Sequence, residues 1–493
     1  MEAWAAAVLS PNLLISNGMH GFSVQARSTV EQGDLLVRVP ADLAVTAESA
    51  LRVPSVQELV SRETEAHVTI AVWLLHAATS LQNAHGDYAR ALSEADIDCT
   101  LNWSADELSM LQKSRAAGKA HLMQAWAQDE WQKITQRPAF AASPIGNSTD
   151  LPRFHWALCA VWSRSFQMGC ATDDCDGAAG TSGGVWRVLA PGADLLNHAG
   201  FDASAKLEVR ADGAQPEKWG SAHAAVAVDA ATGGAAAAAA ASDATDADPT
   251  DTARAAAAAS WSAAGRNLAD LADSSAGLML RAGRRIETDE EVTLDYGARS
   301  NADLLTTHGF ALSVNPNEAT PLSLEPASAD PLGEIKKKLL TLGNLMPPYA
   351  LSAKALTSDS DLVVALRIGA ANAAELQGQD YQNAFKGLPL SARNERRWRT
   401  MLRERVTALL ADAEADTTAA VDEAILRQMG PPSRERWSMR KRAALITRLG
   451  EKQNLRDVLA ALDRMREEQQ VEAAEPSAAD DATRSYDREG IAR

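Results

Sequence analysis

Apolar and polar residues alternate in several short runs, and this pattern predicts β-strands. Residues 22–40 (FSVQARSTVEQGDLLVRVP) alternate loosely and are rich in Val and Leu, with a turn expected at Gly33-Asp34 and an end at Pro40. A short strand is predicted at residues 185–189, and residues 277–297 (GLMLRAGRRIETDEEVTLDYG) indicate a strand, a turn and a second strand.

Three- and four-residue spacing of apolar positions predicts helices elsewhere in the chain. Residues 55–81 and 153–167 follow this spacing, and Ser104 followed by Glu107 has the spacing of a capping box at a helix start. After Pro316 the pattern becomes consistently helical. The helices predicted there are residues 335–342, 362–374, 394–411, 417–429 and 438–465.

One internal stretch departs sharply from the rest of the chain in composition. Between residues 223 and 260, 20 of 38 residues are Ala, without a stripe of large apolar side chains. This stretch can therefore add little to a core, and we expect a mostly mobile surface insertion over about residues 205–275. The acidic, Ala-rich residues 471–493 are expected to form a disordered tail.

Charge and length narrow the class of protein. The chain has 493 residues, and its 48 Lys and Arg against 65 Asp and Glu give a net charge of −17, which argues against a general binder of nucleic acid or anionic membranes. The longest apolar run, residues 70–78, is too short to span a bilayer. Neither a secretory signal nor a transit peptide is recognisable at the N-terminus.

Positive charge concentrates locally in the helical C-terminal half. Residues 386–466 contain 18 Lys and Arg and 11 Asp and Glu, a local charge of +7. Because Arg393, Arg396 and Arg397 share a helix side by spacing, we expect them to dock an acidic surface of a protein partner.

The four cysteines indicate neither a disulfide framework nor a strong metal motif. Cys99 and Cys159 are isolated, and Cys170 and Cys175 form a single C-x4-C pair without a second ligand pair. We therefore expect reduced thiols in a reducing compartment, and no metal site.

Common catalytic motifs are missing, but three segments stand out together. No phosphate-binding loop, nucleophile elbow or H-E-x-x-H sequence is present. The three segments are GFSV at 21–24, ADLLNHA at 193–199, and EEVTLDYGARSNADLLTTHGFALSVNP at 290–316.

In this order the segments resemble SET-domain methyltransferases of the Rubisco large-subunit lysine methyltransferase group, which includes an actin-histidine methyltransferase branch. WALCAVWSRSF at 156–166 and ALITRLGEKQNL at 444–455 also resemble that group's motifs. The resemblance covers about residues 13–465 apart from the Ala-rich stretch. It implies an α+β fold, with a β-rich SET domain interrupted by a helical insert and followed by an all-helical substrate-binding domain.

The expected domain boundaries follow from the resemblance and the patterns above. Residues 1–50 would form the N-terminal part of the SET domain, 51–150 its helical insert, 151–320 its core with the Ala-rich insertion, and 321–470 the substrate-binding domain.

The resemblance also implies roles for individual residues. Tyr296 would be the catalytic residue, because its phenol oxygen can line the path of a transferred methyl. The cofactor S-adenosyl-L-methionine would be held by Gly21, Phe22, Ser23, Asn197, His198 and Tyr296. The substrate would contact Ser163, Arg164, Asp194 and His308.

Two positions depart from the family pattern. Ser23 replaces a second glycine, where a side chain could crowd the cofactor if the backbone requires a positive φ. His308 stands where lysine-specific members often carry Tyr, which leaves the target residue open.

The function expected is S-adenosylmethionine-dependent protein-lysine N-methylation of a soluble, non-histone protein, such as Rubisco large subunit or another abundant enzyme. The alternatives are a protein-histidine N-methyltransferase of the same fold and a non-catalytic binding protein. We expect a monomer that acts on a protein substrate, without nucleic-acid or membrane partners, in the chloroplast stroma or the cytoplasm.

Overall fold

The chain folds into two compact units, which a computed structural model describes over most of its length. It covers residues 8–18, 21–40, 43–80, 84–146, 148–169, 185–210, 277–324, 330–345, 347–377, 380–431, 433 and 435–474. The first unit comprises Met1–Leu111, Arg115–Leu312 and Pro431–Ala444. The second comprises Gln112–Ser114, Ser313–Gly430 and Leu445–Arg493.

Strands are short and concentrate in the first unit. In chain order they are β1 (Leu13–Gly18), β2 (Gly21–Ala26), β3 (Leu35–Pro40), β4 (Val45–Thr46), β5 (Ser165–Gly169), β6 (Val185–Leu189), β7 (Asn197–His198), β8 (Ala205–Arg210), β9 (Gly277–Ala282), β10 (Glu291–Leu294), β11 (Thr320–Leu322) and β12 (Tyr349–Leu351).

Helices make up the insert of the first unit and most of the second. They are α1 (Ala47–Leu51), α2 (Pro54–Gln57), α3 (Ala66–Ser80), α4 (Ala84–Glu94), α5 (Ala105–Ser109), α6 (Arg115–Thr135), α7 (Leu151–Arg164), α8 (Asn301–His308), α9 (Gly333–Leu342), α10 (Asp361–Gly369), α11 (Gln382–Phe385), α12 (Ala392–Ala413), α13 (Ala419–Gln428) and α14 (Arg436–Ala474). No helix in the described part of the chain is long and apolar enough to cross a membrane.

Three small sheets build the first unit. Their strand orders are β1-β2-β10-β7, β3-β9-β8 and β4-β6-β5. Only the β10–β7 pair among these is parallel, and it aligns Thr293 with Asn197 and Leu294 with His198. The sheets thereby bring two motifs that are almost a hundred residues apart in sequence to adjacent strand ends.

The helical insert packs onto the same core as the sheets. Buried side chains of α3, α4 and α7 belong to one cluster with those of β2, β3 and β10, including Leu74, Tyr88 and Leu158. The capping box predicted at Ser104 is present, since Ser104 Oγ accepts from the Glu107 N–H and Glu107 returns a bond to the Ser104 N–H. The cap predicted at Ser104 is therefore confirmed, whereas the helical stretch predicted over residues 55–81 is interrupted between Gln57 and Ala66.

Two segments differ from their predicted conformations. The helix predicted over residues 153–167 ends at Arg164, because Ser165–Gly169 pairs with β6 as strand β5. Residues 205–210, expected to begin the Ala-rich insertion, form strand β8 against β9. In both places long-range strand pairing prevails over local preference. The rest of the predicted insertion, residues 211–275, lies outside the described residues.

Cys99 and Cys159 are joined in a disulfide, so the expectation of reduced thiols is wrong for this pair. Both are fully buried, and their Cα atoms are 5.6 Å apart. Cys99 precedes the turn Thr100–Asn102 and Cys159 lies within α7, sixty residues away. Spacing along the chain could not reveal the pairing, since packing of the turn against α7 creates it. Cys170 and Cys175 lie outside the described residues.

The second unit is mainly helical but also contains strands. Strands β11 and β12 form an antiparallel pair that aligns Pro321 with Ala350, so the expectation of an all-helical domain is wrong in this detail. Three-residue strands are too short to produce a recognisable alternation, and only their pairing reveals them.

The ALITRLGEKQNL motif lies inside this second unit and forms a buried ion cluster. Arg448 and Lys452 both pair with the carboxylate of Asp422, whose side chain is fully buried. Lys452 also donates to the Thr417 carbonyl. The motif's charged residues therefore hold α13 against α14, since removing one partner would leave a buried charge unpaired.

Candidate functional site

A pocket in the first unit gathers residues from three of the motifs found in the sequence. The empty space within it is about 550 Å³, part of which is open to solvent. It is lined by Ser163, Arg164, Ser165, Phe166, Ala193, Asp194, Leu196, Leu207, Leu294, Asp295, Tyr296, Arg299 and His308. A concave site with a few convergent polar groups in a mainly apolar wall is typical of small-molecule binding.

The Asn-His and Tyr-Gly motifs meet at one edge of this pocket. Because β7 runs parallel to the end of β10, the backbone N–H of Tyr296 reaches His198 Nδ1 and donates to it at 3.1 Å. The two rings lie 5.0 Å apart. Burial lowers the pKa of His198, although the nearby Asp295 opposes the shift. A neutral imidazole therefore braces the backbone that carries Tyr296.

Tyr296 presents an uncharged oxygen to the pocket. Its hydroxyl donates to the Leu196 carbonyl at 2.7 Å, and burial is the main cause that raises its pKa to about 12. The phenol consequently stays protonated near neutral pH, and its single proton is committed to Leu196. The lone pairs of the oxygen remain available to a polarised methyl group or an amine.

Asn197 connects the Asn-His motif to the N-terminal strand pair. Its amide nitrogen donates to the Phe22 carbonyl at 3.3 Å and to Glu291 Oε1 at 2.8 Å. Gly21 begins that strand at φ +87°, and a Cβ built there would meet no atom within 4 Å. Open space beside a glycine backbone permits the close approach of a ligand such as S-adenosylmethionine.

Ser23 creates no backbone strain. It lies within β2, it does not belong to the described non-glycine residues with positive φ, and its hydroxyl lies 2.7 Å from that of Ser16. The crowding considered for a serine in place of glycine therefore does not arise from backbone conformation.

Arg164 and Asp194 come together from different elements. Arg164, the last residue of α7, donates through Nη1 to the backbone carbonyl of Asp194 at 2.7 Å. The Asp194 carboxylate accepts from the Tyr88 hydroxyl at 2.7 Å and from the Gly192 N–H at 2.8 Å. Burial raises the pKa of Asp194, while Arg164 and the Tyr88 bond act in the opposite direction. The Arg164 Nε atom is buried without a partner among the described residues, so it can bind a polar group of a ligand.

Ser163 and His308 complete the predicted set. The Ser163 hydroxyl donates to the Cys159 carbonyl within its own helix at 2.7 Å, and the residue lines the pocket from the end of α7. His308 ends α8, and its ring lies 5.2 Å from that of Tyr296. Predicted substrate residues Ser163, Arg164, Asp194 and His308 therefore line the same pocket as Tyr296. The other predicted cofactor residues, Gly21, Phe22, Ser23, Asn197 and His198, lie outside its lining, and Asn197 connects the lining residue Leu196 to Phe22.

The sequence interpretation did not single out Arg299, which lines the pocket, or Arg187, Phe310 and Tyr88, which contact residues of the site. Arg299 donates through Nε to the Tyr296 carbonyl at 3.2 Å, and burial lowers its pKa to about 10. Arg187 donates to the Ser165 hydroxyl at 2.8 Å. The Phe310 ring lies 6.2 Å from the His198 ring, and the Tyr88 hydroxyl donates to Asp194. Arg299 and Phe310 lie within the quoted Tyr-Gly motif and could have been singled out there, but no local signal identifies Tyr88 or Arg187.

Comparisons with known proteins show similarities in the fold and in the C-terminal part of the chain. Residues 327–455 match the family model described as Rubisco LSMT substrate-binding. No curated protein matched the chain in a sequence search.

Several solved structures share the fold over almost the whole chain. A crystal structure of the SET domain of LSMT bound to lysine and AdoHcy superimposes with a TM-score of 0.64 at 18% identity, covering 94% of this chain and 90% of the other. The structure of Rubisco LSMT bound to sinefungin and monomethyllysine gives a TM-score of 0.61 at 17% identity, covering 94% of this chain and 91% of the other. The structure of Rubisco LSMT bound to AdoMet gives a TM-score of 0.61 at 16% identity, covering 94% of this chain and 90% of the other. The resemblance read from the motifs is thus confirmed at the level of fold: the chain has the fold of the LSMT SET-domain structures, and its residues 327–455 match the Rubisco LSMT substrate-binding model.

Proposed function

We propose that the protein is an S-adenosylmethionine-dependent protein-lysine N-methyltransferase. The observation that carries the proposal is the Tyr296 hydroxyl, which is uncharged, donates to Leu196, and lies in a pocket beside the paired Asn197 and His198 strand. When bound, the cofactor would supply a methyl group on a positively charged sulfur.

Each part of the reaction has a residue suited to it. Phe22 and Asn197 border the space beside Gly21 and would hold the cofactor. The Tyr296 oxygen would stabilise the partial positive charge on the transferred methyl group. The same contact would align the methyl group with the target nitrogen. Arg164 and Asp194 would position the substrate at the pocket wall.

The target is proposed to be a lysine on a soluble, non-histone protein, such as Rubisco large subunit or another abundant enzyme of the chloroplast stroma or cytoplasm. Two lines of support are the match of residues 327–455 to a Rubisco LSMT substrate-binding model and the lysine bound in a structure of the same fold. The enzyme is proposed to act as a monomer.

Radiolabelled methyl transfer tests the proposal directly. The protein would be incubated with methyl-labelled S-adenosylmethionine and either purified Rubisco or a soluble extract, and labelled proteins would be hydrolysed to amino acids. Label in methylated lysine is the expected result, and label in methylhistidine would establish the histidine-specific alternative. Cofactor binding by calorimetry without transfer to any protein would instead favour a non-catalytic binding role.

A further inference from the structure

His308, like Tyr296, is an uncharged polar side chain in the pocket. Its neighbours determine which ring nitrogen carries the proton. The Thr307 hydroxyl donates its only proton to the Asp303 carbonyl at 2.7 Å. The same hydroxyl oxygen lies 2.7 Å from His308 Nδ1. With the hydroxyl proton directed to Asp303, this geometry assigns the donor role in the second contact to Nδ1. His308 Nε2 is therefore the unprotonated ring nitrogen and carries a lone pair.

The charges around His308 keep its ring neutral. Cationic side chains approach from several elements: Arg299 after β10, Arg187 on β6 and Lys119 on α6, with His198 on β7. Burial is the largest cause and these neighbours add to it, so the pKa of His308 lies well below 6.5. The ring is an acceptor and not a cation near neutral pH.

His308 and Tyr296 face the same space. Both line the pocket, and their rings are 5.2 Å apart at 32°. The Tyr296 proton is committed to Leu196 and the His308 Nδ1 proton to Thr307. Two uncharged acceptors, an oxygen and a nitrogen, are thus available side by side.

We propose that His308 Nε2 accepts a hydrogen bond from the target nitrogen of the substrate and orients it for methyl transfer. The inference rests on the proposed methyltransferase function. A neutral primary amine has two N–H groups and one lone pair, so bonds to Tyr296 and His308 would use both N–H groups and leave the lone pair toward the methyl. Fixing that direction lowers the entropic part of the barrier.

The same electrostatics selects the neutral form of the amine. Arg299, Arg187 and Lys119 disfavour an ammonium group beside His308, and an ammonium nitrogen has no lone pair for the attack, so the lysine loses its proton to solvent before methyl transfer. The target nitrogen then forms the new N–C bond as the sulfur–methyl bond breaks and sulfur keeps the electron pair. The resulting alkylammonium loses its proton to solvent.

Matched variants separate this role from packing. His308→Leu removes the acceptor, and we expect kcat/KM for the protein substrate to fall about tenfold or more while cofactor affinity is unchanged. His308→Gln retains an acceptor oxygen and should recover most of the loss. Equal activities of the parent and His308→Leu would overturn the inference, as would equal losses in the Leu and Gln variants.

Thr307→Val provides a second comparison, because it removes the group that fixes the tautomer. We expect a smaller loss of kcat/KM than in His308→Leu. The control is Thr306→Val, since the Thr306 hydroxyl is also buried in α8 and donates to the Ala302 carbonyl at 2.8 Å but does not contact His308. A loss in the control as large as in Thr307→Val would count against the inference.

A spectroscopic measurement tests the protonation of His308 and its contact with an amine independently of turnover. In protein labelled with ¹⁵N-histidine, with the His308 signals identified from His308→Gln, we expect Nδ1 protonated and Nε2 bare. Titration with free lysine should shift the Nε2 resonance. A proton on Nε2, or no response to lysine, would overturn the inference. If the parent protein transfers no methyl, the proposed function fails, and this titration still shows whether His308 receives an amine.

Discussion

Tyr88 and Asp194 form a buried hydrogen bond of 2.7 Å between the helical insert and the motif that carries Asn197 and His198. Burial raises the pKa of Tyr88 well above 10, so the phenol remains the donor. Asp194 also fixes the turn Ala193–Leu195 through the Gly192 N–H. The carbonyl of Leu196, which holds the Tyr296 hydroxyl, follows that turn directly. The helix that carries Tyr88 therefore helps to position Tyr296, the proposed catalytic residue.

Replacing Tyr88 by Phe should lower both stability and turnover. Loss of the bond leaves a buried carboxylate with one partner fewer, and the expected loss of stability is about 1–3 kcal/mol. The turn before Leu196 should also loosen, so kcat should fall more than cofactor affinity. Tyr349→Phe is the control, because Tyr349 is a buried phenol of the second unit that donates to the Leu345 carbonyl at 2.8 Å. A comparable fall of kcat in the control would contradict a positioning role for Tyr88.

Tyr296→Phe should lower turnover far more than cofactor affinity. Only the hydroxyl is removed, and a group that acts mainly in the transition state contributes about 100-fold or more in rate. Single-turnover rates with labelled cofactor, together with calorimetric affinities, would separate the two effects. Unchanged single-turnover rates would remove Tyr296 from the mechanism.

Asn197→Ala should weaken S-adenosylmethionine binding and destabilise the first unit. Its amide connects Phe22 to Glu291, and loss of a partly buried hydrogen-bond partner costs about 1–3 kcal/mol. Calorimetry and thermal unfolding would measure the two effects. Asn454→Ala is the control, since this amide is buried in the second unit and binds Thr320 and Leu351. The assignment of Asn197 to the cofactor site would be wrong if both variants bind cofactor like the parent.

His67 should make stability depend on pH in a defined direction. Burial and then Arg187 lower the pKa of His67 from 6.5 to about 3, although Glu65 Oε2 lies 3.5 Å from its Nε2. The unfolded chain binds the His67 proton more tightly than the folded chain does. The contribution of neutral His67 to the free energy of unfolding is therefore complete above pH 6.5. It falls by about 1.4 kcal/mol per pH unit as the pH drops toward 3.

Thermal unfolding of the parent and of His67→Phe at pH 7.5, 6 and 5 would check this expectation. Phe keeps a ring between Trp126 and Trp162, whose rings lie 5.1 and 5.8 Å from that of His67. The variant should lose less stability than the parent on acidification. Parallel losses in the two proteins would show that His67 titrates normally in the folded state.

The basic surface expected to dock the substrate is smaller than the sequence suggested. Arg393 and Arg396 are exposed, but Arg397 is tied to the Ala370 carbonyl and to Glu375. We expect the double reversal Arg393→Glu and Arg396→Glu to raise KM for an intact acidic protein substrate, mainly at low salt, with cofactor binding unchanged. Reversal of the exposed Lys337 and Lys338 changes the net charge equally and is the control. Equal KM values in the two double variants would exclude a specific docking role.

Local features of the sequence determined much of the fold. Spacing of apolar residues predicted α3, α7 and the long helices of the second unit, and alternation predicted the strands β2, β3, β6, β9 and β10. The Ser104 cap was predictable because its donor and acceptor lie three residues apart. The motifs around His198 and Tyr296 also identified the pocket, since each motif carries several of its residues in one short segment.

Only the tertiary structure decided which distant residues act together. Tyr88 meets Asp194 across 106 positions, Cys99 meets Cys159 across sixty, and Ser165 leaves the helical pattern of α7 to pair with Leu189. Burial likewise keeps His308 neutral, and Arg299, Arg187 and Lys119, which approach from other segments, act in the same direction. Periodicity and capping depend on interactions between residues that are close in sequence, so the sequence predicts them. Burial, electrostatic interactions and strand pairing at the site depend on distant segments, which come together only when the chain folds.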